Sequence, residues 1–177
     1  MTAFRRLVDS PVGPILLGAD ASGRLTLARF GDDPDAVTSP HGVDAAHAAS
    51  TVLDDTTAQL LEYFGGRRTC FEIPLAMDGS PFQRRVWTRL QQIPYGTTVS
   101  YGRLAAQVGR PGAARAVGHA NARNPIAVIV PCHRVIGSSG RLTGYGGGLT
   151  TKQHLLDLEA KVAGLSPLSA SRAPGSL

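Results

Sequence analysis

The stretch SYGRLAAQVGRPGAARAVGHANA, residues 100–122, decides how the second half of this chain folds. Ser100 carries the side-chain oxygen that caps a helix start, and Leu104, Ala105 and Val108 follow at helical spacing. The spacing predicts a helix from Tyr101 to Val108. Gly109-Arg110-Pro111-Gly112 then makes a tight turn, and Ala113 to Ala122 makes a further helix. Two short helices around a four-residue Gly/Pro turn are the sequence form of a helix-turn-helix. The later helix is nearly bare of bulk: Ala113, Ala114, Ala116, Gly118, Ala120 and Ala122 surround a projecting Arg115. Small side chains let a backbone come close to another surface, which is either a neighbouring helix or the groove of a nucleic acid.

Charge favours the nucleic acid. Residues 1–79 hold six Arg and eleven acids, whereas residues 80–165 hold nine Arg, two Lys and two acids, Asp157 and Glu159. That is a swing from −5 to +9 within a chain of net charge +5. A solvated face accounts for many basic segments, but an asymmetry of this size suits contact with a polyanion.

Upstream, Ser80 caps a helix whose first residue is Pro81 and whose face is marked by Phe82, Val86, Leu90 and Ile93; Pro94-Tyr95-Gly96 ends it. Met77-Asp78-Gly79-Ser80 is the expected boundary between an N-terminal α/β domain, 1–78, and a C-terminal domain, 79–165. In the first domain, the turns Pro11-Val12-Gly13-Pro14 and Ala21-Ser22-Gly23 separate short strands. Residues 31–44 read as a loop. A helix over 45–64 shows Val52, Ala58, Leu61 and Phe64, Gly65-Gly66 stops it, and Phe71 to Leu75 is a short strand. Downstream of residue 122, Ile126 to Val130 reads as a buried strand running into Pro131-Cys132-His133-Arg134-Val135. Gly144-Tyr145-Gly146-Gly147-Gly148 is a flexible loop, Thr151 caps a last helix carrying Leu155, Leu156, Leu158 and Glu159, and residues 166–177 read as a disordered tail. The fold class is α+β.

Several classes are set aside by composition. No apolar run approaches the roughly 18 residues of a membrane span, and no signal-peptide core follows Arg5 and Arg6, so a cytoplasmic location is expected. Cys70 and Cys132 form no C-x-x-C pair, and the five histidines are scattered, so no metal is expected.

The residue with chemical promise is Cys132. A free thiol is only a few per cent thiolate near neutrality, and nearby positive charge or a base raises that fraction. Cys132 has His133 and Arg134 beside it; Cys70, between Thr69 and Phe71, has no such company. An inert core cysteine is the alternative. His133 points away from Cys132 in an extended chain, so a water or a local turn has to connect them, and the imidazole needs an orienting acceptor. Glu159 is a candidate for that acceptor, against the usual solvated helix acid. A non-catalytic DNA-binding regulator and a cysteine hydrolase remain rival readings at this point.

Val130-Pro131-Cys132-His133-Arg134-Val135 resembles the active-site signature of the O6-alkylguanine-DNA alkyltransferases, the methylated-DNA–protein-cysteine methyltransferases. Further matching segments lie in order around it: Phe82-Gln83 with Val86-Trp87, Ile93-Pro94-Tyr95-Gly96, Ser100-Tyr101, Ala113-Ala114-Arg115-Ala116-Val117-Gly118, Asn124-Pro125, Gly144-Tyr145 with Gly147-Gly148, and Leu155-Leu156 with Glu159. The resemblance is strong over residues 80–162 and looser around Asp9 to Gly13. It implies a ribonuclease-H-like N-terminal domain and a mostly helical C-terminal domain with a winged helix-turn-helix. It also implies irreversible, single-turnover transfer of an alkyl group from O6-alkylguanine in duplex DNA to Cys132, with O4-alkylthymine a candidate second substrate. The protein would act as a monomer without a cofactor or an obligatory protein partner.

By position, the resemblance assigns Ala114, Arg115 and Gly118 to the minor groove, with Arg115 filling the gap left by a flipped base. Arg134 is counted with these DNA contacts. Tyr101 would turn the nucleotide and donate its phenol proton. The carbonyls of Cys132 and Val135 would accept from the exocyclic amine, and the Tyr145–Gly146 loop would close on the base. Asn124 would brace the turn before the nucleophile, and Glu159 would orient His133, which draws the Cys132 proton through water. Two points depart from the pattern. No cluster matches the zinc ligands of some relatives, and Gly146 stands where some carry Ser.

Overall fold

The computed structural model describes residues 4–31 and 43–165, so the expected tail at 166–177 and most of the loop at 31–44 lie outside the described residues. The chain divides into two compact units, one of residues up to Asp78 together with Pro125–Ile129, the other of Gly79–Asn124 and Val130 onward. The segment Pro125–Ile129 therefore belongs to the first unit, although a single cut near residue 79 places it in the second. Among the described residues no helix is long and apolar enough to cross a membrane.

In the first unit, β1 (Phe4–Val8), β2 (Ile15–Ala19) and β3 (Leu25–Phe30) form an antiparallel sheet in the order β1-β2-β3. All of β2 is buried, because it is paired on both edges and covered by α1 (Val43–Phe64). The buried face of α1 is Ala49, Val52, Leu53, Thr56, Leu60 and Tyr63. The expected face differs: Ala58 is exposed and Leu61 is 52% exposed. Steps of three residues regress around a helix of 3.6 residues per turn, so the series 58, 61, 64 walks off the stripe that 49, 53, 56, 60 and 63 keep.

Two expected strands are absent. Within 71–75 only Leu75 pairs, by a single parallel bridge to Leu25. Pro74 has no N–H to extend a ladder, and Glu72 spends its N–H on the Gln59 side chain at 2.9 Å. Ile126 likewise makes one bridge, to Ala28. Beyond it the chain folds through two γ-turns of opposite hand. Ile129 N–H donates to the Ala127 carbonyl (2.9 Å) across Val128 at φ 70, and Cys132 N–H donates to the Val130 carbonyl (2.8 Å) across Pro131 at φ −80, ψ 64. A positive φ is strained at a β-branched residue, and burial of Val128, Ile129 and Val130 holds it there.

The second unit opens with α2 (Pro81–Leu90), whose start is a full capping box between Ser80 and Gln83. Val86, Trp87 and Leu90 are its buried side. The two-residue strand β4 (Val99–Ser100) leads into α3 (Tyr101–Gln107), where the Ser100 hydroxyl accepts from Arg103 N–H at 3.2 Å. Gly109 and Gly112 both take positive φ, 74 and 84, to turn the chain into α4 (Ala114–Ala122). Trp87 locks α4 against α2: its indole N–H donates to the Ala120 carbonyl at 2.8 Å. A single 3₁₀ turn, Cys132–Arg134, follows, then β5 (Val135–Ile136), parallel to β4. The last helix, α5 (Gly148–Val162), begins three residues before Thr151, which lies buried inside it and caps nothing.

Candidate active site

The 3₁₀ turn decides where the Cys132 neighbours go. In an extended strand His133 and Arg134 would point to opposite sides; in a tight turn both reach α5. His133 Nε2 lies 2.8 Å from Glu159 Oε1, Arg134 donates from Nε and NH2 to the two carboxylate oxygens at 2.9 Å each, and Gly96 N–H donates to Oε2 at 3.0 Å. His133 and Glu159 are fully buried. Burial alone would raise the Glu159 pKa, but the charges and hydrogen bonds of His133 and Arg134 overrule it and hold the carboxyl well below the usual range. Burial pushes His133 down, against the pull of Glu159, so the ring is neutral. A neutral ring bonded to a carboxylate carries its proton on Nε2. Nδ1, buried and without a hydrogen-bond partner among the described residues, is then the basic nitrogen.

Cys132 is 5% exposed, and burial pushes its thiol pKa up, against smaller effects from a side-chain hydrogen bond with Asn124 and from Lys152. The resting group is therefore a thiol, and the thiolate that its cationic neighbours were expected to favour is not the resting state. Asn124 also donates to the Val130 carbonyl at 2.8 Å, bracing the γ-turn ahead of Cys132.

A second group of expected residues lines an open cavity of about 880 Å³: Tyr101, Ala114, Arg115, Gly118, Tyr145 and Gly146. Cys132 and Val135 are not among its lining. Tyr145 belongs to both groups, since it lines the cavity, its ring centroid is 6.4 Å from that of His133, and burial pushes its phenol pKa well above the ordinary value. The Thr143 hydroxyl donates to the Tyr101 phenol oxygen at 3.2 Å, tying that tyrosine to the same loop.

One expectation is overturned. Arg134 is 6% exposed, and its guanidinium is spent on Glu159 and, from NH1 at 2.7 Å, on the Ile93 carbonyl. It holds the carboxylate rather than contacting DNA. The carbonyls expected to receive the exocyclic amine are both engaged: Cys132 accepts from Val135 N–H and from Asn121 Nδ2 (3.3 Å), and Val135 accepts from Lys152 Nζ (2.6 Å).

Asn121 and Lys152 escaped sequence reading. Asn121 lies on the buried side of α4, in a helix whose composition drew attention to its bare face. Lys152 is fully buried, also donates to the Thr143 carbonyl at 3.1 Å, and is pushed down to about 8 by burial. A lysine in the second turn of a helix gives no sequence signal of burial. Other residues of the cavity wall, Gly102, His119, Ser138 and Thr143, were also unassigned.

Comparison with known proteins adds to this geometry. A family profile for the DNA-binding domain of 6-O-methylguanine DNA methyltransferase matches residues 81–161, and one for its ribonuclease-like domain matches residues 4–77. The methylated-DNA–protein-cysteine methyltransferase of Mycobacterium bovis is 48% identical over 172 residues, covering 97% of this chain and 95% of that protein. The protein of the same name from Methanosarcina acetivorans is 46% identical over 156 residues, covering 88% and 97%. Among solved structures, Mycobacterium tuberculosis OGT in complex with DNA aligns with a TM-score of 0.78 at 46% identity, over 94% of this chain and 98% of that one.

Proposed function

The chain belongs to the methylated-DNA–protein-cysteine methyltransferase family, and from that premise we propose that it repairs O6-alkylguanine in duplex DNA by moving the alkyl group onto its own Cys132. The observation that carries this reading is the buried His133–Glu159 pair next in the chain to the buried Cys132, with the His133 ring 6.4 Å from that of Tyr145, which lines the cavity beside the Ala/Gly face of α4.

In this mechanism the bare face of α4, with Ala114 and Gly118, lies along the minor groove, and Arg115 takes the place of the flipped nucleotide. The loop carrying Tyr145 and Gly146 closes on the base. The exocyclic amine shares or displaces the donors now on the Cys132 and Val135 carbonyls. His133 Nδ1 takes the thiol proton through a water while Glu159 stabilises the imidazolium that forms. The thiolate attacks the alkyl carbon, a C–S bond forms, and the carbon–oxygen bond breaks with its electron pair going to the purine. Tyr101 supplies a proton to the ring, so guanine leaves as a neutral base. A thioether has no easy hydrolytic route, so each molecule reacts once. Arg134, consumed by Glu159, serves as the counter-charge that keeps the carboxylate ionised. The protein works as a monomer in the cytoplasm, where a free thiol stays reduced.

Incubation with duplex DNA containing O6-methylguanine is expected to raise the intact mass by one methyl group, placed on Cys132 by peptide mapping. Cys132→Ala is expected to bind the duplex and accept nothing. Repeated turnover, or a methyl group on the exposed Cys70, would overturn the assignment.

A further inference from the structure

A separate groove of about 540 Å³ lies between α2 and the C-terminal end of α3, lined by Pro81, Arg84, Arg85, Thr88, Arg89, Gln92, Gln107 and Val108. It shares no residue with the cavity beside Arg115. Among the described residues no acid pairs with Arg84, Arg85 or Arg89, and no Asp or Glu occurs in sequence between Gly79 and Leu156. Arg84 and Arg85 are exposed, with the Arg85 guanidinium 5.8 Å above the Phe82 ring. Arg89 is fixed from two sides, donating from Nε to the Gln107 amide oxygen at 3.1 Å and from NH1 to that of Gln92. The fork of Arg89 is thus aimed before any ligand arrives, and two of its donors are used while the others stay available.

We propose that this groove is a second phosphate-binding site, which holds the sugar–phosphate backbone of the same duplex outside the lesion. Three arginines, a hydroxyl and glutamine amides without a carboxylate suit a phosphodiester: guanidinium forks pair with phosphate oxygens, and no negative group repels them. Position selects the flank of the bound duplex as the occupant. Tyr101 and Gly102, at one end of α3, line the lesion cavity, and Gln107 and Val108, at the other end, line the groove. Six residues of helix separate them by about 9 Å. Duplex DNA carries one charge per roughly 1.7 Å of axis, so one duplex seated on α4 presents phosphates over that span. The groove then adds affinity and register without reading sequence.

The proposal rests on the repair reading, but its test reads binding rather than alkyl transfer, so the two can fail separately. The variant Arg84→Gln/Arg85→Gln is compared with wild type on one O6-methylguanine duplex that extends about 10 base pairs beyond the lesion on each side, and on O6-methylguanine as the free base. On the duplex the plot of log affinity against log salt is expected to be shallower in the variant by about 1.8, or 0.9 for each lost phosphate contact. With the free base the two proteins are expected to share one rate of methyl acceptance, which also shows the variant to be folded. An unchanged slope on the duplex would overturn the proposal. A slower reaction with the free base would overturn it too, because the arginines would then act at the lesion site rather than on the flanking backbone.

Discussion

Glu159 is the residue on which the buried centre turns. Its carboxylate accepts from Arg134 twice, from Gly96 once, and faces the His133 ring, all without solvent. Removing the charge of one partner in a buried pair leaves the other uncompensated, which typically costs about 3–5 kcal/mol. Glu159→Gln is therefore expected to lower stability by that order, read by chemical denaturation. It is also expected to slow methyl acceptance, read by single-turnover kinetics on the folded fraction. A variant as stable and as fast as wild type would contradict the arrangement. His133→Gln separates the roles: it leaves the Arg134–Glu159 pair in place, so it should lose much less stability while losing most of the rate.

How far such residues can be read from sequence depends on what they touch. Cys132 stands out in sequence because a thiol, an imidazole and a cation are side by side. Glu159 was legible only as one of two acids in a basic half. Arg134 was misread because an arginine in a basic segment looks like a phosphate contact until a buried carboxylate is found opposite it. Lys152 and Asn121 act on backbone carbonyls far along the chain, at Val135 and Cys132, and that kind of partner leaves no pattern in sequence.

At the level of elements, the helix-turn-helix was plain in the residues because its signals are local: a Ser100 cap, two positive-φ glycines and a run of small side chains. The segment before Cys132 was not. Five consecutive apolar residues satisfy a buried strand as well as a pair of γ-turns, and the choice is made by tertiary contacts such as the Ala28–Ile126 bridge. The closeness of α4 to its partner gives this scale its own prediction. A Cβ on Gly118 would sit 3.8 Å from the Tyr101 ring, ordinary contact, so a methyl group fits the free protein. Gly118→Leu extends into the cavity and stands off the groove. It is expected to weaken duplex binding at least tenfold by fluorescence anisotropy while shifting the thermal midpoint little. Reaction with O6-methylguanine as a free base, which needs no groove, should be spared relative to the duplex. Equal losses on duplex and free base would place the fault in folding rather than docking.

The whole molecule carries its buried titrations into the pH dependence of stability. His133 has a folded pKa below its ordinary 6.5, and Glu159 one below its ordinary 4.5. In both cases the unfolded chain binds more protons in acid. Stability is then fully present above about pH 6.5 and falls as pH drops, first through the His133 window and then below 4.5 as the unfolded carboxyl protonates. Lys152 acts at the other end. Its folded pKa is about 8 against an ordinary 10.5, so burying the ammonium opposes folding below pH 8. Between 8 and 10.5 the unfolded chain again holds more protons, and stability rises, on the order of 3 kcal/mol if the whole difference is expressed. Approach to the isoelectric point near 9.8 also relieves repulsion in the basic half, so a rise alone does not identify the lysine. Lys152→Met removes the buried charge at nearly constant volume and should flatten the alkaline limb while leaving the acid limb unchanged. Thermal midpoints of both proteins from pH 4 to 10 provide the measurement, and parallel alkaline limbs would show that net charge, not Lys152, sets the slope.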